Sequence, residues 1–188
     1  MTTIVYCNPS PKSFNHAILK SITDSLTDLG QEYFVIDLYA DCFDPAPEAD
    51  DAANQVLVKR YQKALADASK VILIFPIWWG MMPAMLKGWI DCTFEKGVIY
   101  DFTPEGNMMP CLSVDKTMII TTAEEPMTLL APFVSGYFAP QVLNAVGLNN
   151  VSWQHCDRVS TGSDEHRKEF LATVTAEAIR LIDRNLLI

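Results

Sequence analysis

At 188 residues with 49% hydrophobic side chains, the chain holds enough apolar material for one α/β domain with a substantial core, and two full domains would be cramped. A net charge of −9 without a basic stripe speaks against nonspecific binding to nucleic acid or anionic membranes, which needs clustered Lys and Arg. Five scattered cysteines without a C-x-x-C pair and three dispersed histidines, His16, His155 and His166, leave reduced thiols as the default and give the histidines no catalytic role.

The N-terminus enters a strand-like run, Thr3 to Cys7, without the basic start and longer apolar region of a secretory signal. Further along, Asp, Lys or Pro interrupts every apolar run before the roughly 18 residues of a transmembrane helix. A soluble, cytoplasmic protein without membrane insertion is expected. Strands are predicted at 3–7, 32–37, 70–75, 116–121 and 150–155. Helices are predicted at 15–29, 50–68 and 84–94, somewhere within 130–146, and at 164–186. Five strands with intervening helices imply a doubly wound parallel sheet, organised as one domain over residues 1–188.

Local punctuation supports these boundaries. Ile18, Ile22, Leu26 and Leu29 recur at helical spacing and Gly30 follows as a helix-ending residue. Ser163 or Asp164 can cap the last helix. Residues 95–115 are too long for a routine connection and hold aromatic and Met residues, which suits a binding loop or a dimer contact.

Two loops carry the functional signal. Val71 to Phe75 reads as a strand buried on both faces, and it breaks at Pro76-Ile77-Trp78-Trp79-Gly80, at the carboxyl edge where ligands of open α/β sheets bind. After the first strand, Asn8-Pro-Ser-Pro-Lys-Ser-Phe-Asn15 runs into the first helix, so helix amides with Ser10, Ser13 and Asn15 could surround a phosphate. The loop matches neither G-x-G-x-x-G nor G-x-x-x-x-G-K-[ST]. Each loop alone also reads as ordinary structure, a capped turn at Ser13 and packing at the tryptophans. Together they suit a flat ring with a phosphate tail, as in a flavin.

Ser13-Phe14-Asn15, with Asn8 before it, and the run Phe75-Pro-Ile-Trp-Trp79 followed by Met82 to Asp91 resemble the phosphate and isoalloxazine loops of the flavodoxin-like NAD(P)H:quinone oxidoreductase family. Asp37-Leu-Tyr39 and Ile119-Ile-Thr121-Thr122 complete the pattern. The resemblance implies a three-layer α/β/α flavodoxin-like sandwich, noncovalent FMN or FAD, homodimers, and hydride passage from NAD(P)H to a quinone or similar small acceptor. It places Asn8, Ser13, Phe14, Asn15, Pro76, Ile77, Trp78, Trp79, Thr121 and Thr122 at the cofactor, and Trp79, Tyr100 and Phe102 at the substrate. No acid–base catalyst is assigned, since Leu129 and Ser135 stand where some relatives have Tyr and His.

The chain departs from the family after Thr122, where Ala123-Glu124-Glu125-Pro126 replaces the usual Gly-Gly. The two carboxylates either face the ring and repel negative charge there, or turn outward. That departure keeps open a regulatory flavoprotein, and the acidic charge, suited to docking on basic partners, keeps open a flavodoxin-type electron carrier, although residues 10–15 lack the hydroxyl- and glycine-rich spacing that flavodoxins use.

Overall fold

The computed structural model describes residues 1–48 and 51–182. In chain order the elements begin with β1 (Thr2–Tyr6), α1 (Phe14–Asp28), β2 (Tyr33–Asp37), α2 (Ala52–Ala66), β3 (Lys70–Pro76) and α3 (Ala84–Thr93). Two short strands follow, β4 (Tyr100–Phe102) and β5 (Met108–Pro110), then β6 (Lys116–Thr122) and α4 (Met127–Phe133). The helix continues as a π-helical segment (Val134–Leu143) and a 3-10 turn (Asn144–Val146), before β7 (Val151–Cys156) and α5 (Asp164–Ile182). Residue 50 of the second predicted helix and residues 183–186 of the last lie outside the described residues.

Five strands form a parallel sheet in the order β2-β1-β3-β6-β7, as the alternating pattern predicts. Successive side chains point to opposite faces, and helices cover both. Val5, Leu73, Phe75 and Ile119 face α2, α3 and the 134–143 segment. Ile4, Ile72, Ile74, Met118 and Ile120 face α1 and α5. Burial on both faces is why β3 and β6 read as unbroken apolar runs, and each fully buried Ile or Leu contributes on the order of 2 kcal/mol.

Ser13 caps α1 by accepting from the His16 N–H at 3.2 Å, and Ile18, Ile22 and Leu26 turn inward. Ser163 Oγ accepts from the His166 N–H at 3.1 Å and caps α5. At Gly88 the chain demands the absence of a side chain, since a Cβ there would lie 2.3 Å from the Pro45 carbonyl oxygen. That clearance lets the segment after β2 run across α3.

Two regions differ from the sequence expectation. Residues 95–115 contain an antiparallel β4–β5 hairpin with Phe102, Met108 and Met109 exposed. The helix expected within 130–146 is longer, and neither Pro132 nor Pro140 ends it. Proline removes an N–H and crowds the preceding turn, and widening to the π form accommodates Pro140. Met127–Val146 is thus 20 residues without a charged side chain, long and apolar enough by length and composition to cross a membrane, contrary to the reading that proline interrupts it. Leu130, Val134, Phe138 and Leu143 are buried in the core.

Candidate functional site

The chain leaves β1 toward β2 on one side of the sheet, while β3 continues to β6 on the other. The loops after β1 and β3 therefore diverge and open a crevice at the carboxyl edge.

On the β1 side, Asn8 Oδ1 accepts from the Ser10 N–H at 2.9 Å and shapes the loop, and the Ser13 cap starts the 15-residue α1 at the carboxyl edge of the sheet. Phe14 packs near Phe170, with ring centroids 6.2 Å apart, so what it offers a ligand is its backbone N–H. Asn15 is buried. Its Nδ2 donates to Thr122 Oγ1 at 2.8 Å, and its Oδ1 has no hydrogen-bond partner. A buried acceptor left open costs free energy, and a donor on a bound ligand would satisfy it.

On the β3 side, the Ile77 N–H donates to the Thr122 carbonyl at 2.9 Å, and Trp78 and Met81 close a turn through reciprocal backbone bonds of 2.9 and 3.1 Å. Trp79 and Gly80 occupy that turn at φ +53° and +75°, the left-handed pair of a type I′ turn. Glycine accepts this freely, but a tryptophan there costs about 1–2 kcal/mol. Its indole is 102% exposed, so packing does not offset that cost. Strain of this kind clusters at ligand sites.

The third wall follows β6. Strand alternation separates the two threonines: Thr122 lines the crevice, whereas Thr121 points to the other face and hydrogen-bonds Trp153 and His155. Glu124, which also lines the crevice, is held by its carboxylate accepting from the Ser160 N–H at 2.6 Å and the Thr161 hydroxyl at 2.7 Å. Those two bonds, the Thr161 hydroxyl first, hold its pKa below the usual glutamate value. Glu125 is exposed at the mouth.

At the same edge a cavity of about 380 Å3 lies between Pro76–Trp79 on one side and residues 123–125 with Val159 and Ser160 on the other, and Asn8, Ser13 and Phe14 of the β1 loop are not among its lining residues. It brings together Pro76, Ile77, Trp78, Trp79 and Thr122, with Asn15 bonded to its floor. Tyr100 and Phe102 are not among its lining residues; they meet edge to face on the hairpin at 5.8 Å. Sequence reasoning missed Val159 and Ser160, although a Ser- and Thr-rich loop after the last strand ends at the same edge. A larger cavity of about 780 Å3, near Lys116, Asn150 and Arg180, lies at the opposite, amino edge of the sheet, away from these loops.

The two buried cysteines offer no ready thiolate. Burial pushes Cys7 up to about 12 and Cys156 to about 11. Among the described residues no group of His, Cys, Asp and Glu could hold a metal ion. Apolar walls, an exposed indole, helix amides and an open buried acceptor fit a flat heteroaromatic cofactor with a phosphate.

Residues 1–179 match a family described as Flavodoxin-like fold. Among curated proteins, the mouse Ribosyldihydronicotinamide dehydrogenase [quinone] is 30% identical over 121 residues, covering 52% of each chain, so the chain spans about half the length of the curated relatives it matches. Among solved structures, Smu.1420 from Streptococcus mutans superposes with a TM-score of 0.81 at 30% identity over 94% of this chain and 97% of that one. An NAD(P)H:quinone oxidoreductase from Methanothermobacter marburgensis shares the fold, with a TM-score of 0.82 at 24% identity and 98% coverage of both chains.

Proposed function

The chain belongs to the flavodoxin-like fold family, and from that premise we propose that it is a one-domain, cytoplasmic, flavin-dependent oxidoreductase that passes hydride from NAD(P)H to a quinone or similar small acceptor. The observation that carries the reading is Trp79, an indole held bare to solvent in a strained turn beside a crevice at the carboxyl edge of the sheet. The resemblance to quinone-reducing relatives in name and sequence supports the same reaction class.

FMN or FAD, when bound, supplies the hydride-accepting and hydride-donating chemistry. The protein's part is to bind, align and dry the site. The amides at the start of α1, the Ser13 hydroxyl and Asn15 hold the phosphate end, with Asn8 shaping the loop. Pro76, Ile77, Trp78 and Trp79 frame the ring, and Thr122 meets its edge. Thr121 acts from behind through its buried hydroxyl. Stacked donor and acceptor rings need alignment and exclusion of water more than a titrating side chain, in keeping with walls that present no histidine or cysteine.

The protein works as a homodimer in this reading. Trp79, Met81, Phe102, Met109, Leu129 and Tyr137 are large apolar side chains left exposed. Tyr100 and Phe102, outside their own chain's crevice, would complete the acceptor pocket of the second copy. A regulatory role drew on the altered Ala123-Glu124-Glu125 loop, and Glu124, bonded to Ser160 and Thr161, weakens that motive; a carrier role drew on the acidic charge instead.

The test is a visible spectrum of the purified chain, reconstituted with FMN or FAD, before and after anaerobic NADH or NADPH and then menadione. Loss of flavin colour with at least one nucleotide, and its return on adding menadione, is expected. Colour that persists with both nucleotides refutes the reductase.

A further inference from the structure

Behind the crevice runs a hydrogen-bond chain whose direction is fixed by its end members. The indole of Trp153 can only donate, and its Nε1–H reaches Thr121 Oγ1 at 2.8 Å. The Glu125 carbonyl can only accept, and it lies 2.9 Å from His155 Nε2. His155 therefore carries its proton on Nε2. Its Nδ1, 2.8 Å from Thr121 Oγ1, accepts the hydroxyl proton. Every member donates once in one direction, from β7 through β6 and back to the loop after β6.

We infer that His155 is a positioning residue for the Ala123–Glu125 wall of the crevice, fixing the Glu125 carbonyl through an imidazole that Thr121 and Trp153 hold in a single tautomer. The inference rests on the flavin reading of that crevice. The rest of the wall is tied differently: the Ala123 N–H donates to the Cys156 carbonyl and the Val159 N–H to the Ala123 carbonyl, both at 3.0 Å, while Glu124 is tied through its carboxylate. Pro126 follows Glu125 and brings no N–H of its own. The His155 bond thus holds the stretch between Glu124 and α4.

The single tautomer needs a neutral ring. A second proton on Nδ1 keeps the Nε2–H donating to Glu125 but takes away the acceptor of the Thr121 hydroxyl proton, so the hold of Thr121 on the ring is lost. The charged groups around the ring are acidic. Glu125 and Asp157 favour the protonated form, Asp157 itself meeting Arg158 Nε at 3.4 Å and His166 Nε2 at 3.1 Å, while Glu124 is turned onto Ser160 and Thr161. Burial outweighs them and holds the His155 pKa below the usual imidazole range. The Thr121 hold on the ring is complete above that range and is lost as pH falls through the lowered value.

The test is an FMN titration of the full chain followed by flavin fluorescence between about pH 8 and pH 5, bracketing the histidine range. His155→Gln keeps a donor for the Glu125 carbonyl and does not titrate; His155→Phe keeps the ring's bulk and neither polar contact. His155→Gln is expected to bind within about threefold of the parent at neutral pH and to lose the parent's decline in acid. His155→Phe is expected to bind about five- to tenfold more weakly at neutral pH, the loss of one hydrogen bond. Parent-like affinity of His155→Phe, or an acid decline that survives in His155→Gln, overturns the inference.

Two readouts stand apart from the cofactor. Histidine 15N shifts of the cofactor-free chain should report the Nε2-protonated tautomer, and the other tautomer refutes the hydrogen-bond chain. Amide exchange at Leu129, whose N–H donates to the Pro126 carbonyl at 3.0 Å just beyond Glu125, should quicken in His155→Phe, and unchanged exchange refutes the holding role. A chain that takes no flavin in any variant sinks the oxidoreductase reading while these two results still decide the role of His155.

Discussion

Replacing Trp79 by Asn separates what the fold needs from what the site needs. Trp79 stands at φ +53° with its side chain 102% exposed, so its removal gives up no burial. The left-handed conformation costs an ordinary L residue about 1–2 kcal/mol, and Asn visits it far more readily. Trp79→Asn should therefore stabilise the cofactor-free chain by about 1 kcal/mol, a rise of about 2–4 °C in melting temperature for a domain of this size. Cofactor binding should move the other way. An aromatic contact worth about 0.5–1.5 kcal/mol disappears, weakening FMN binding by up to about tenfold. Thermal unfolding by circular dichroism and a fluorescence titration read the two effects on one preparation. A lowered melting temperature would show that the tryptophan serves the fold, and unchanged affinity would remove it from the cofactor wall.

Gly88→Ala should destabilise by about 1–3 kcal/mol, read as a lower urea midpoint, because the new Cβ meets the Pro45 backbone oxygen at 2.3 Å and backbone gives way poorly. Glu124→Gln should lose stability relative to the parent at neutral pH but not in acid. The folded pKa of Glu124 is lowered, so its contribution is present above the usual glutamate value and fades as pH falls through the folded one. A difference that stays constant with pH would contradict this. A thiol reagent should label the exposed Cys42 and Cys111 in the native chain, and reach Cys7 and Cys156 only on unfolding; early modification of Cys7 would show that its strand opens.

The sheet was legible because β3 and β6 are buried on both faces, which forces continuous apolar runs whatever their neighbours. The ends of α1 were legible through Ser13 and Gly30, whose effects are local. The β4–β5 hairpin was not, since strands of three residues show no periodicity and the pairing of Tyr100 with Pro110 is a tertiary fact. The helix at 127–146 was hidden by its prolines, which a backbone can absorb by widening. At the site, Pro76 to Trp79 announced themselves by position. The different duties of Thr121 and Thr122 follow from strand alternation but depend on which helix covers which face. His155 carried no sequence signal, because its partners Thr121 and Glu125 are brought to it by the β6–β7 register.

That register also sets a timetable for synthesis. Thr2 lies beside Lys70, Lys70 beside Lys116, and Thr117 beside Val151, so the strand made first ends between β2 and the central β3 of the finished sheet. Pairings this distant in sequence form slowly. At a ribosomal pace of about 5–20 residues per second, the first strand waits several seconds for β3, and the full sheet takes on the order of ten seconds to emerge. During that interval the apolar edge of a half-built sheet is open, and a chaperone that shields β1 until β3 arrives would raise the yield of native protein more than one acting on the completed chain.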